Sequence, residues 1–581
     1  MTPRRVLPAL ALCWVALLGL AGVLTPVGAA ADTPSPPESP GTSSTADPST
    51  PTSPTPDPTS ASTSGSPVDP SPPRPTGPAS SPTTAPTQTP TASATSGPTT
   101  PTSAPTPTAT GRPAATPSPV VTIPSTPPAS LNATVPLTSA IIAFVVLILV
   151  GLLLRELTTG SGSTTEPDET ATLRPATEDD VLRLMSVAGD ALIEAGFDVS
   201  DVQSDLRAIA ASHGLPEVQI IALPTALVVS ATKGAELRTS AVATGAVQLR
   251  LHQIEALDDV VSRSRAGLDP RAAVREIRAI RNAPPPFPPP VQLLGSVLAT
   301  MGLAVLLGSS GRGMLLAGAL GVFTGAVQLF GLKVPLRYQA LVTVSAATGV
   351  SLSVFLLARV GWSSDVVPSL IAPLVTLLPG ALLTTAVIEL ASGQMISGAG
   401  RLAAGATQLL LLALGIVGPA LLVGIPALEL TTSKPAFGTI GPWLAVAAFG
   451  IGIVVNRCAR PRSMGWILIV LYVAYGAQVL GGLFLGGLLS AFVGALAMTP
   501  VADLVARQRG GPPAIVSFTP AFWILVPGAL GLMGVATLLS GDNTGTATLL
   551  TTLVTMIGIA LGVLVGRAVS TLIGLHGHPT P

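Results

Sequence analysis

The chain has 581 residues, of which 48% are hydrophobic, 10% charged and 3% aromatic, and its 29 basic side chains balance 29 acidic ones. A water-soluble protein carries about a quarter of its residues as Asp, Glu, Lys or Arg, so this composition and a mean hydropathy of +0.63 exclude an ordinary soluble enzyme and point to lipid. Zero net charge provides no overall basic balance for nucleic acid, and the two cysteines, Cys13 and Cys458, lie in separate apolar contexts that offer neither a disulfide framework nor a metal signature.

Residues 1–31 read as a signal peptide. Arg4 and Arg5 precede an apolar run over 6–23, and Val27-Gly28-Ala29 or Ala29-Ala30-Ala31 offers a small-residue cleavage site; an uncleaved anchor is the alternative. Residues 32–131 are almost entirely Pro, Thr, Ser, Ala and Gly, with nothing to bury, so they are expected to form a disordered, semi-stiff extracytoplasmic tether. Its Ser/Thr-Pro richness suits O-linked sugar, and Asn132-Ala133-Thr134 fits a glycosylation sequon. An apolar run over 137–154 is long enough for a transmembrane helix and ends at Arg155, which the positive-inside rule puts in the cytoplasm.

The character then changes. Residues 172–290 predict a cytoplasmic α+β domain large enough for one core. Thr177 caps a helix with an acidic first turn and an apolar stripe from Val181 to Ile193, and Gly196 stops it. Ser200-Asp201-Val202-Gln203 reads as a second capping box. Strands are expected over 218–223, 226–231 and 241–251, followed by helices over 254–265 and 270–280, the last with Asp269 as cap and Pro270 in its first turn. The proline-rich stretch 284–290 is a stiff connector. Ten membrane helices follow, over 291–308, 314–332, 339–358, 367–391, 402–428, 439–456, 465–481, 483–501, 517–539 and 545–566.

Those ten divide in two. Leu378-Pro379-Gly380-Ala381-Leu382 returns 148 residues later as Val526-Pro527-Gly528-Ala529-Leu530, and at the same offset Gly302 falls on Gly450. The expected fold class is therefore a multi-spanning α-helical membrane protein of two five-helix repeats, 291–429 and 439–570, preceded by the α+β domain. Five crossings per repeat force opposite orientations, the inverted topology on which alternating access in transporters is commonly built. Charge agrees. With Val291 entering from the cytoplasm, the inner loops receive Lys333, Arg337, Arg401, Arg457, Arg460, Arg462, Arg507, Arg509 and Arg567, and the outer loops only Arg312, Arg359 and Lys434. This predicts eleven spans after signal removal in a multi-pass cell-membrane protein with its C-terminus inside.

Candidate chemistry gathers at the repeat. Pro379-Gly380 and Pro527-Gly528 each fall midway along an apolar helix. Proline removes a donor there and glycine loosens the backbone, so broken helices would offer carbonyls and amides to a polar solute; a structural kink is the alternative. Glu389 lies ten residues beyond Pro379, about 15 Å along a helix. An ionisable group in lipid lines a cavity or finds a partner, and Arg401 is placed to pair with it, as a gate, a coupling element or an interfacial salt bridge. Thr384, Thr385, Gln328, Gln408 and Gln478 are neutral polar groups available to a solute. No GxSxG, Walker A, HExxH or CxxC sequence occurs, so no catalytic residue, metal ligand or cofactor is assigned. His213 and His252, with Asp190, Glu194, Asp205, Asp258 and Asp259, have no spacing that selects a metal site.

This organisation resembles the threonine/serine exporter (ThrE) family, from roughly Ala176 to His576. The resemblance is carried by Leu192-Ile193-Glu194-Ala195-Gly196, by Pro284-Pro285-Pro286-Phe287, by Leu378-Pro379-Gly380 with Glu389-Leu390, Gly398 and Arg401-Leu402, and by Gly510-Gly511-Pro512-Pro513, Phe518-Thr519-Pro520 and Leu525-Val526-Pro527-Gly528. It implies a secondary transporter that exports threonine, serine or similar small amino acids by proton antiport. Its expected partners are then the amino-acid substrate, protons and the bilayer, with homo-oligomerisation left open. On that implication Glu389 is the expected proton-responsive group, and the two Pro-Gly breaks supply backbone beside the substrate. A membrane-anchored hydrolase using the α+β domain and a surface-tethered scaffold are the alternatives.

Overall fold

The computed structural model describes residues 137–159 and 177–574, apart from 216, 234–235, 245–247, 363–364, 424–436, 509, 526 and 540–543. The expected signal peptide, tether and sequon, Lys434, Arg509, Asp542-Asn543, and His576 and His578 lie outside the described residues. Among the described residues the first helix is α1 (Leu137–Thr159), which packs along the body helix α13 (Met464–Leu485).

Residues 177–283 alternate helix and sheet because their apolar spacing switches period. In α2 (Glu178–Glu194), Thr177 and Asp180 form a reciprocal capping box, and Val181, Leu184, Met185, Ala188 and Leu192 are buried on one face. The next helix, α3 (Val199–Ser212), is capped by Asp198, whose carboxylate accepts from the Asp201 amide at 2.9 Å. Ser200 is not its cap. The start moves two residues upstream because Asp198 holds extended backbone dihedrals while Ser200 is already helical. Strands β1 (Val218–Leu223), β2 (Ala226–Lys233) and β3 (Glu236–Ala243) form an antiparallel sheet in the order β1-β2-β3, with α2 and α3 on the face that buries Ile220, Leu227 and Val229. The third strand is 236–243, not 241–251. Pairing runs from Lys233↔Glu236 to Ala226↔Ala243, so the register of β2 consumes the earlier residues. Helices α4 (Leu251–Arg265) and α5 (Pro270–Arg281) complete this segment.

The body comprises α6 (Pro289–Leu306), α7 (Gly311–Gly331), α8 (Gln339–Arg359), α9 (Val366–Leu374), α10 (Gly380–Ala391), α11 (Met395–Val423), α12 (Gly441–Asn456), α13, α14 (Gly487–Ala506), α15 (Ala514–Leu525), α16 (Pro527–Leu539) and α17 (Thr544–Leu572). Among the described residues seven helices are long and apolar enough to cross a membrane, or nine when the bent pairs α9–α10 and α15–α16 each count as one span. The apolar parts of α1 and α12 are shorter than that measure requires, which is why the expected eleven is not reached by length and composition.

Glycine sets how closely these helices approach. The helices α6 and α12 run antiparallel: a Cβ on Gly295 would sit 2.7 Å from the Asn456 amide nitrogen, and one on Gly302 2.6 Å from that of Phe449. Between lipid-exposed helices the hydrophobic effect adds little, so such backbone contact is the main source of attraction. Cross-packing is reciprocal: α10 contacts α11 and α17, while α16 contacts α17 and α11. Gly302→Val places its branched carbon against backbone that has no way to yield, and should cost at least about 1–3 kcal/mol. Gly465→Ala, where nothing lies within 4 Å, should be close to neutral. Thermal aggregation monitored by size-exclusion chromatography in detergent separates the two.

Candidate functional site

The expected fourth membrane helix is two helices. A 3-10 turn, Val375–Leu377, ends the first part, Pro379 begins the second, and the halves are bent by 60°. The Pro379 ring has no N–H to continue the ladder, so carbonyls before it lose their helical partners. Side chains from three other helices gather at the break, two of them on those carbonyls. Gln408 of α11 donates to the Leu377 carbonyl at 2.6 Å, Arg457 at the end of α12 donates to the Thr376 carbonyl at 3.2 Å, and Gln328 of α7 donates to Thr376 Oγ1 at 2.5 Å. The second Pro-Gly lies at a bend of 46° between α15 and α16, with Pro527 opening α16 and Gly528 next in it. Thr384, in the second turn of α10, is 1% exposed, and its hydroxyl has no partner among the described residues. Gln478 does not join this group; it lies against Gly494 of α14.

Glu389 and Arg401 do come together. The carboxylate is 1% exposed; Oε1 lies 3.1 Å from Arg401 Nε, without the alignment of a directed hydrogen bond, and Oε2 accepts from the Ser397 hydroxyl at 2.7 Å. The helix α11 starts at Met395, so 395–400 are helical rather than the expected loop. That start puts Ser397 and Arg401 four residues apart on one face, toward Glu389. Gly398 permits it, since a Cβ there would meet the Ala386 carbonyl oxygen at 2.8 Å.

The remaining partners of this pair come from the α+β segment. The Val199 amide, first in α3, donates to Glu389 Oε1 at 3.2 Å, and Arg401 Nη2 donates to the Phe197 carbonyl at 3.0 Å. The same turn engages α17: Arg567 Nη1 donates to Asp198 at 2.9 Å and Nη2 to Asp201 at 3.2 Å. Burial opposes ionisation of Asp198, but the Arg567 charge and the Asp201 amide outweigh it and hold its carboxyl below the usual range. The amide end of α3 faces a carboxylate, as the helix dipole favours.

A second docking point uses the start of α4. The Leu251 and His252 amides donate to the Arg457 and Cys458 carbonyls at 3.3 and 3.1 Å, and His252 Nδ1 lies 3.0 Å from the same Cys458 oxygen. Glu255 accepts from the Arg460 amide at 3.2 Å and the Ser463 hydroxyl at 2.9 Å. Burial pushes the Glu255 carboxyl up, against the pull of those two donors. Cys458 has a φ of 57°, a left-handed conformation that a side chain rarely adopts, held here by the α4 amide and ring. The other titratable groups singled out in this segment are spread apart. Asp190 and Glu194 pair with Arg281, Asp205 with Arg265, and Asp259 with Arg263, while the His213 ring lies between the Ile209 and Leu268 carbonyls.

Sequence reasoning named Glu389 and Arg401 and missed their supports. Arg457 and Arg567 entered only as inner-loop cations, although each terminal cation of an apolar helix was a signal that the side chain could turn inward. Asp198 and Ser397 carried no signal beyond their capping and hydroxyl chemistry.

Seven to nine apolar helices, two of them bent pairs with a proline at or beside the bend, define a helical multi-spanning membrane protein. Residues 183–422 match the family model ThrE, described as "Putative threonine/serine exporter", from the second turn of α2 almost to the end of α11. Over that stretch the chain is similar to amino-acid exporters; the second Pro-Gly lies outside it. No curated protein and no solved structure matches the chain.

The depressed Asp198 carboxyl has a defined pH signature. A group lowered in the folded state stabilises above its unfolded value, about 3.9, and that contribution is lost as pH falls through the folded value. Asp198→Asn should therefore lower stability by about 1–3 kcal/mol from pH 5 to 8. The difference from the native chain should close below pH 4, as read from melting temperature against pH.

Proposed function

We propose that the chain is a secondary transporter that exports threonine, serine or similar small amino acids from the cytoplasm by proton antiport. The observation that carries this reading is the bent span at Pro379 inside the ThrE-matching stretch, where side chains from three helices meet, two of them on its backbone carbonyls and the third on the Thr376 hydroxyl. A second bend at Pro527 supports two five-helix halves, 291–429 and 439–570. The antiparallel α6–α12 contact and the reciprocal packing of α10 on α17 and α16 on α11 support their inversion. In this reading the α+β segment and the C-terminus face the cytoplasm, and the two Pro-Gly sites flank the substrate.

Glu389 is the proposed coupling group. Protonation would remove the charge that attracts Arg401 and the Val199 amide, loosening the turn at Phe197-Asp198 from the ends of α10 and α11. The α+β segment then acts as a gate on the cytoplasmic side. Its grip on α17 through Arg567 would spread the motion to the second half. A carboxylate with an amide, a hydroxyl and a guanidinium around it is well placed for such a switch, because loss of its proton is matched by donors from both moving parts.

Threonine efflux from preloaded proteoliposomes, with and without an imposed proton gradient, tests this. The native chain should show gradient-dependent efflux, and Glu389→Gln should reduce the gradient-driven component at least about ten-fold, equivalent to ~1.4 kcal/mol. Efflux that ignores the gradient in both proteins would remove the antiport reading, and no efflux of threonine or serine from correctly oriented protein would remove the substrate class.

A further inference from the structure

We infer that Arg457 is the anchor for the carboxylate of the transported solute. The inference rests on the transport reading above and adds to it the recognition group and the class of ligand, a small zwitterionic α-amino acid.

The Arg457 side chain contacts both bent spans. Its Nη2 donates to the Thr376 carbonyl, in the last turn before Pro379, at 3.2 Å. Its guanidinium carbon lies 5.1 Å from the centre of the Trp523 ring, four residues before Pro527. Thr376 and Trp523 occupy nearly equivalent places in the two halves, since 376 and 524 are 148 residues apart, the offset of the Pro-Gly pairs. A single cation thus sits where both helices break.

Its charge lacks an acidic partner. Among the described residues no carboxylate lies within 4 Å of Arg457, unlike Arg401 and Arg567, and its Nε is buried without a hydrogen-bond acceptor. The like charge of Arg250, whose Nη1 donates to Cys458 Sγ at 3.4 Å, acts on it. A buried guanidinium beside another cation is costly to keep unless an anion completes it. The planar guanidinium suits a carboxylate, which takes two parallel N–H donors.

The surroundings fit the rest of such a solute. The first amides of α10, beginning at Gly380, lie just past the break, and the Leu383 amide donates to the Pro379 carbonyl, so this end adds positive potential. Thr384 contributes a buried hydroxyl with no partner among the described residues, available to a polar group of the solute. Arg457 is itself held in place by the α+β segment, because the Leu251 amide takes its carbonyl oxygen. The same segment that closes on Glu389 therefore also positions the cation.

Reconstituted protein and exchange of labelled threonine test the assignment, with L-threonine and threoninol, in which the carboxylate is an alcohol, as competitors. The native chain should be inhibited by threonine and not by threoninol. Arg457→Lys keeps the charge without the planar fork and should raise KM about ten-fold or more, with kcat changed less. Arg457→Gln should lose the discrimination between the two competitors. Native KM and undiminished discrimination in both variants would overturn the assignment while leaving the transport reading intact. So would equal competition by threoninol in the native chain, a result that needs no variant to fold. Absence of amino-acid exchange by the native chain would overturn the transport reading, and this assignment with it.

Discussion

A helix interrupted inside an apolar body leaves carbonyl and amide groups that lipid has no means of bonding, and each must find a partner within the protein. The break at Pro379 imposes that requirement on this fold. It draws Gln328, Gln408 and Arg457 from three helices to one place, and it fixes how α7, α11 and the end of α12 meet. Small residues then set the spacing: Gly295, Gly302 and Gly452 bring α6 and α12 into backbone contact, and Gly398 does the same for α10 and α11. The polar requirement and the close packing are complementary, since side chains reach the break only when the helices are near.

The α+β segment is attached to this body by helix beginnings. The start of α3 meets Glu389, Arg401 and Arg567, and the start of α4 meets the turn between α12 and α13. Free amides at a helix N-terminus suit these contacts because they bond carboxylate or carbonyl oxygens without further side chains. The two points respond to acid in opposite senses. Arg567 holds the Asp198 carboxyl below its usual range, whereas burial pushes the Glu255 carboxyl above its own. Acid weakens the first contact and eases the second, so the segment need not release as a single rigid plate.

Much of the secondary structure was legible from local chemistry. Thr177 with its acidic first turn announced α2, Asp269-Pro270 announced α5, and the long apolar runs placed the body helices to within a few residues. The errors came where pairing or packing outweighed local preference. Strand β3 followed the register of β2, α3 began at Asp198, and α11 absorbed 395–400 because Gly398 lets it lie on α10.

The sequence by itself determined that the chain spans lipid many times, that Pro379 interrupts a helix, and that Glu389 and Arg401 are near enough to pair. Those properties follow from hydropathy, ring geometry and short separation along the chain. Only the tertiary structure decided that the pair is closed by Val199 and Phe197, that Arg567 reaches Asp198, and that Arg457 lies between Thr376 and Trp523. Those partners are 66 to 369 residues apart. Local propensity carries no information at such separations, whereas the cost of an unsatisfied buried charge or amide selects the arrangement once the helices have packed.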